Sequence, residues 1–208
     1  MRKLLALLCL CAPLVAPAQD VVQRPAVKVG DFWRYERTDL FTRNKTGRPN
    51  FRVAFASKDV INTVQLVDKK EVDSTFTAEW NMVNDSAAGV YEPYAAIFKF
   101  PLKAGDSYRS RWDITRRRLG AHRVKVDATF KVIGWEQVRV PAGNFRALKL
   151  EGRGTYQRLD TFASGQNHWI IWYAPEVRRW VRWTYEDTDS RGQANTRFTD
   201  ELIEVKLR

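Results

Sequence analysis

The strongest constraint on this chain is a two-residue alternation of apolar and polar side chains. From 71 to 82, Val72, Ser74, Phe76, Ala78, Trp80 and Met82 fall on one face, and Glu71, Asp73, Thr75, Thr77, Glu79 and Asn81 on the other. From 122 to 131, Val124, Val126, Ala128 and Phe130, continued by Val132, alternate with Arg123, Lys125, Asp127, Thr129 and Lys131. At the C-terminus Ile203, Val205 and Leu207 alternate with Glu204, Lys206 and Arg208. Strand side chains point to opposite faces in turn, whereas a helix needs apolar residues three and four apart. These segments show only the strand period. Further strands are predicted at 32–40, 51–56, 59–67, 95–100, 107–114, 145–157, 168–173 and 179–186, separated by Gly, Pro, Asn and Ser turns. About ten strands in one domain predict an all-β fold. Its form is a single strongly curved antiparallel sheet, a half-barrel or open barrel, that curls to hide its apolar face and its edges. Little helix is expected, at most a short one at 87–91.

The first eighteen residues read as an export signal. Arg2 and Lys3 give a positive start, 4–15 an apolar run, and Ala16-Pro17-Ala18 a small-x-small cleavage pattern. Cleavage is expected near Ala18–Gln19, then a leader tail over 19–28 and one β-domain over 29–208. The expected product is soluble and periplasmic or secreted. Cys9 and Cys11 leave with the signal, so no disulfide or thiolate remains and stability comes from packing. The mature chain keeps 33 basic residues against 24 acidic ones, a net charge of +9, and all eight tryptophans.

The positive charge is uneven. Arg109, Arg111, Arg116, Arg117, Arg118, Arg123 and Lys125 crowd around the single acid Asp113, and Arg178, Arg179 and Arg182 form a second group. Such a face attracts anions over about 10 Å in physiological salt. Arg116, Arg117, Arg118 and Arg123 are therefore the candidates for holding an anionic envelope polymer or a membrane surface. Specific nucleic-acid recognition is not expected. Gly30-Asp31-Phe32-Trp33-Arg34 and Gly105-Asp106-Ser107-Tyr108-Arg109 echo one another, each predicting a turn that feeds an aromatic side chain into the core.

The motifs at 100–106 (Phe-Pro-Leu-Lys-Ala-Gly-Asp), 140–147 (Val-Pro-Ala-Gly-Asn-Phe-Arg-Ala) and 172–177 (Trp-Tyr-Ala-Pro-Glu-Val) resemble an exported bacterial family of unknown function. That family is similar to the lipoprotein-carrier half-barrels of the LolA/LolB type. The resemblance covers about 29–208. It implies a curved antiparallel sheet with a hydrophobic concave face and, by analogy, an affinity for acyl chains; it carries over no catalytic residue.

Chemistry-bearing constellations are sparse. His122 and His168 have no ligand spacing around them, so no metal is expected. There is no Gly-x-Ser-x-Gly elbow and no phosphate-binding glycine loop, and Ser164 reads as a turn serine. Acid pairs such as Glu186 with Asp187 lie at strand ends, where solvated carboxylates are ordinary. No catalytic residue and no cofactor are assigned, and the chain is read as non-enzymatic. What remains is apolar: Trp169, Ile171 and Tyr173 share one face of a strand while Ile170 and Trp172 share the other, so both faces need cover. Phe76, Trp80, Met82, Phe130, Val132, Trp169 and Trp172 are the candidates for lining a cavity. The expected function is binding of an apolar or amphipathic molecule, such as a lipid, in the concave face. The alternative is an envelope adaptor that uses its arginines on an anionic surface or a partner protein.

Overall fold

In the computed structural model, which describes residues 21–67, 70–117 and 122–208, thirteen strands follow one another with one 3-10 turn. They are β1 (Phe32–Asp39), β2 (Lys45–Gly47), β3 (Asn50–Ala56), β4 (Val60–Val67), β5 (Lys70–Thr77), β6 (Met82–Asp85) and β7 (Gly89–Ala95). Then come β8 (Ser107–Arg116), β9 (Arg123–Val140), β10 (Gly143–Arg158), β11 (Ser164–Ala174), the turn Pro175–Val177, β12 (Arg179–Asp189) and β13 (Ala194–Lys206). The signal-like segment 1–18 and Arg118 lie outside the described residues. Within the stretch read as a leader tail, Val22 is buried and exchanges two main-chain hydrogen bonds with Leu102 (2.8 and 2.9 Å).

The sheet is all-antiparallel and strongly curved, but it is closed. β13 pairs with β1 along its whole length, from Phe32 with Lys206 to Asp39 with Phe198. Twelve strands form the ring, and β2 lies beside β1 beyond the three residues that β3 covers. The expected open half-barrel of about ten strands is thus a closed barrel of twelve. Two elements account for the difference. The alternating run 71–82 breaks after Thr77, where a turn with Trp80 at φ +65° starts the short β6. The segment 87–91 is the start of strand β7 rather than a helix.

Residues 96–106, partly predicted as strand, leave the sheet and close one end of the barrel. Asn81 holds this plug by its main chain: its side-chain oxygen accepts from Ile97 N (2.9 Å) and Phe98 N (2.8 Å), and its amide donates to Phe98 O (2.8 Å). The Phe98 ring stacks on Trp180 at 6.3 Å and tilts against Tyr173 at 5.9 Å. At the same end Asp31, fully buried, accepts from Lys28 N (2.9 Å), Arg208 N (2.7 Å) and Arg178 Nη1 (2.8 Å), tying three distant parts of the chain together.

The ring consists of two matching halves, β1 with β3–β7 and β8–β13. Gly30 (φ +90°) and Gly105 (φ +93°) make the same turn, a conformation costly for any residue with a Cβ. Gly30 N donates to Val53 O and Val53 N to Asp31 O; Gly105 N donates to Val132 O and Val132 N to Asp106 O. The halves also share their irregularities. β3 carries an extra residue, Ala54, after Val53, and β9 carries Ile133 after Val132. β6 bulges at Val83 opposite β5, and β12 at Val181 opposite β11. Just before those bulges Trp80 and Arg178 both turn left-handed, at φ +65° and +58°.

Apolar side chains fill the inside while Arg109, Arg111, Lys131 and Arg153 stand exposed outside. That is the reverse of a barrel that crosses lipid, where the outward band is apolar. Gly152 makes the interior fit: a Cβ there would lie 2.6 Å from Phe130 Cδ1 and 3.0 Å from Trp169 Cε3. Gly152→Ala is expected to destabilise the barrel by about 1–3 kcal/mol through overpacking. A lowered urea midpoint at unchanged slope would bear this out, and an unchanged midpoint would contradict it.

Candidate functional site

Five of the seven cavity candidates are buried inside the barrel, in two groups. Phe76 and Trp80 pack edge to face at 5.3 Å near the plugged end, and Phe130 and Trp169 lie 5.4 Å apart beside Trp112, with Val132 also buried. Met82 is partly buried against the same core. Trp172 does not join them: it faces outward, its indole donates to Glu136 Oε2 (2.7 Å), and Lys149 and Arg182 lie over its ring, each at 5.4 Å. The second apolar face of β11 is therefore covered by stems of charged side chains. The Trp172 hydrogen bond, with Lys149 beside it, holds the Glu136 carboxyl below its usual range.

Toward the end opposite the plug the interior changes character. Trp183, Tyr185 and Phe198 point inward, since Trp183 lies 5.0 Å from Trp180, Tyr185 5.8 Å from Trp169 and Phe198 5.6 Å from Tyr185, yet all three keep contact with solvent. So does Phe51, deeper in, packed on Tyr35 and Trp180. Arg37 makes a bidentate pair with Asp200 (2.7 Å twice) on this wall, its Cζ 3.9 Å from the Phe198 ring centre. Buried polar atoms are left over: Thr63 Oγ1, Trp112 Nε1, Asn167 Oδ1 and Asp187 Oδ1 have no hydrogen-bond partner among the described residues. Burial pushes the Asp187 carboxyl and the Tyr185 hydroxyl up, and the charge of Arg116 works against both shifts. The result is an inner surface with an aromatic floor and a part-polar wall, in partial contact with solvent.

Below that floor lies a residue that sequence reasoning had placed on the surface. Arg179 is fully buried, with its Cζ 3.7 Å from the ring centre of Phe51, 3.9 Å from Trp180 and 4.3 Å from Trp80. Burial brings its pKa down to about 9, which leaves it charged at neutral pH. Its neighbours in the second basic group behave as surface residues do: Arg178 binds Asp31, and Arg182 binds Glu201 (2.8 Å) and Arg139 O (2.7 Å). Nothing in the run Arg178-Arg179-Trp180 separates the fully buried arginine from the half-buried one beside it.

Three members of the first basic group are answered by acids across the strands. Asp127, just past the run, takes Arg109 through both oxygens (2.7 and 2.6 Å) and Arg111 as well (2.9 Å), and Asp113 takes Arg123 (2.8 Å). Arg117 hydrogen-bonds to Asn84 Oδ1 (3.0 Å), and Arg116 stands exposed at the rim of the lumen. An outer cleft of about 650 Å³ runs over these pairs, between Arg111, Asp127, Gln157 and Gln166. His168 faces outward against Glu151 (3.0 Å). Among the described residues no group of three or more His, Cys, Asp or Glu converges on a metal position.

No family model matches the chain, and no curated protein does. Solved structures do. A protein of Parabacteroides distasonis described as a lipoprotein aligns with a TM-score of 0.58 at 15% identity, over 90% of this chain and 100% of its own. An exported protein of Bacteroides fragilis described as having a YmcC-like fold aligns at 0.53 and 13% identity, over 90% and 100%. The hypothetical lipoprotein YmcC of Escherichia coli aligns at 0.53 and 9%, over 84% and 83%. The chain shares their fold. At such identities the likeness speaks for the YmcC-like barrel alone, and that closed ring stands where the lipoprotein-carrier resemblance implied an open half-barrel.

The hydrogen bonds from Arg109, followed by those from Arg111, hold the Asp127 carboxyl down to about 2. A depressed carboxyl stabilises the fold above its unfolded pKa of about 3.9 and loses that contribution as pH falls toward 2, here weakly because the pair is exposed to solvent. An NMR titration is expected to place its midpoint about two pH units below an ordinary aspartate. Asp127→Asn frees both arginines and is expected to strengthen salt-sensitive retention on anionic liposomes; equal retention of wild type and variant would remove this face as an anion site.

Proposed function

We propose that this protein is an exported, non-enzymatic binding protein that holds an amphipathic small molecule in the lumen at the open end of its barrel. The observation that carries the reading is the set of inward-facing aromatic rings, Phe51, Trp183, Tyr185 and Phe198, that remain in contact with solvent beside unpartnered buried polar atoms. Buried polar groups ordinarily find a partner, and a pocket of apolar walls with a few convergent polar atoms is the usual form of a small-molecule site. Rings of this kind bury an alkyl or isoprenoid chain, and Thr63, Asn167 and Asp187 take hydrogen bonds from water or from a polar end. Export is supported by the pattern of residues 1–18 and by the exported or lipoprotein descriptions of the similar structures. The adaptor reading is weaker, because two of the arginines it depends on are held within the protein, Arg123 by Asp113 and Arg117 by Asn84.

A fluorescent fatty-acyl probe titrated into the mature protein is expected to bind and to quench tryptophan emission. Phe198→Lys, which puts a charge on the lumen wall, is expected to weaken binding about tenfold, whereas Trp172→Ala on the outer face leaves it intact. No saturable quenching, or quenching equally indifferent to both variants, would overturn the lumen reading.

A further inference from the structure

The two halves of the barrel make the same left-handed turn at the plugged end, and each places a buried polar residue just after it: Asn81 before β6 and Arg179 at the start of β12. Their circumstances differ. The Asn81 amide is saturated by the main chain of Ile97 and Phe98. Arg179 Nε, Nη1 and Nη2 have no hydrogen-bond partner among the described residues. The cause lies in the last strand of each half. After β7 the chain leaves the sheet and crosses beneath Asn81, whereas β13 stays paired to β1 as far as Lys206, and among the described residues no segment hydrogen-bonds to the Arg179 side chain.

The groups around the guanidinium do not complete it. Phe51, Trp180 and Trp80 attract its charge through their ring faces but offer no lone pair to its N–H groups. Both oxygens of Asp200 are held by Arg37, and the Tyr35 hydroxyl donates to Trp180 O (2.8 Å) while burial keeps it protonated. Asp200 acts on the guanidinium through space without bonding to it, and a buried cation with no hydrogen-bonded counter-charge resembles an ion pair that has lost one partner.

We infer that Arg179 anchors the anionic end of the ligand, a carboxylate or phosphate oxyanion on an apolar chain, with the chain running past Trp183 and Phe198 to the open end. This rests on the lumen reading above. A guanidinium recognises either oxyanion through paired N–H donors. Phe51 touches both compartments: it keeps contact with solvent and covers the Arg179 Cζ at 3.7 Å, beside the three-residue ladder between β1 and β3. On this reading, rotation of the Phe51 ring is the step that brings the guanidinium to the lumen.

The test uses dodecanoate, dodecyl phosphate and dodecanol, which share a chain and differ in head group, with acetate and inorganic phosphate as free anions. Binding is read by tryptophan emission on the wild type, Arg179→Met and Arg123→Gln. The wild type is expected to bind the two anionic chains about tenfold more tightly than dodecanol. Arg179→Met is expected to bind all three alike, and Arg123→Gln, which removes a positive charge from the outer face, to keep the preference. Equal affinity of the wild type for all three chains overturns the anchor and leaves the lumen reading standing; binding of none overturns both. Acetate or inorganic phosphate acting at the same concentrations as the chains identifies a free anion as the occupant and overturns the chain-bearing ligand. Should Arg179→Met fail to fold, Phe51→Ala keeps the guanidinium and removes its cover. That variant is expected to gain affinity for dodecanoate over dodecanol, and an equal change for both overturns the anchor.

Discussion

Closure of β13 on β1 is the constraint on which the rest of this structure depends. An open sheet of this length exposes two edges, and pairing them removes both at once. Closure then fixes how much space the side chains must fill. A ring of about eight strands is filled by ordinary side chains, and one of about sixteen leaves a channel. Twelve lies between. The large rings of Trp33, Trp80, Trp112, Trp169 and Trp180 and the inserted Phe98 answer that intermediate width, and Trp33, Trp80, Trp180 and Phe98 fill the end where the plug enters. Aromatic side chains suit this task because each carries a large apolar area and packs edge to face. Trp33 and Trp80 meet in that way at 5.3 Å, and their indoles reach across the barrel to Val177 O and Arg178 O.

The matching halves explain how so wide a ring is specified. Each begins with a Gly-Asp turn bonded to a valine one strand over, and each bulges at the same two places. A bulge bends its strand and increases the local twist, so repeating a bent six-stranded unit twice brings the last strand to the first. Asp31 and Asp106 show the limit of the symmetry. Asp31 is fully buried and collects the chain at Lys28, Arg178 and Arg208, whereas Asp106 is exposed.

Much of this was legible in the sequence, and the failures have physical causes. The period-two pattern found β8 to β13, although β9 and β13 run further than the alternation suggests. The Gly-Asp echo correctly marked two equivalent turns. The run 71–82 misled because its alternation continues through a left-handed residue: Trp80 sits on the inner side by way of a turn, where periodicity has no say. β7 was hidden because its apolar residues are few and it contains Pro93, which is tolerated where the ladder to β8 has ended at Glu92. For the site, buried aromatic residues were recoverable one by one, but their sidedness was not. Trp172 went outward because β11 is covered on that face by Lys149 and Arg182, and those contacts come from strands 23 and 10 positions away in sequence. Arg179 was invisible for the same reason, since its burial depends on rings supplied by β1, β3 and β5.

What differentiates the two halves is also what gives the barrel two unlike ends. In the first half the chain after β7 abandons the ladder and inserts Phe98, satisfying Asn81 and sealing the interior. In the second half β13 remains in the ladder, because closure needs it there. The sealing segment follows β7, the strand that corresponds to the closing strand β13. Among the described residues it is the one segment that plugs the barrel. One interior polar position is saturated by the chain itself, while its counterpart, Arg179, lies under an aromatic floor on the route from the open end, where solvent already reaches Trp183 and Phe198. The asymmetry leaves a charged group buried beneath the aromatic floor, the position that the proposed ligand would reach last.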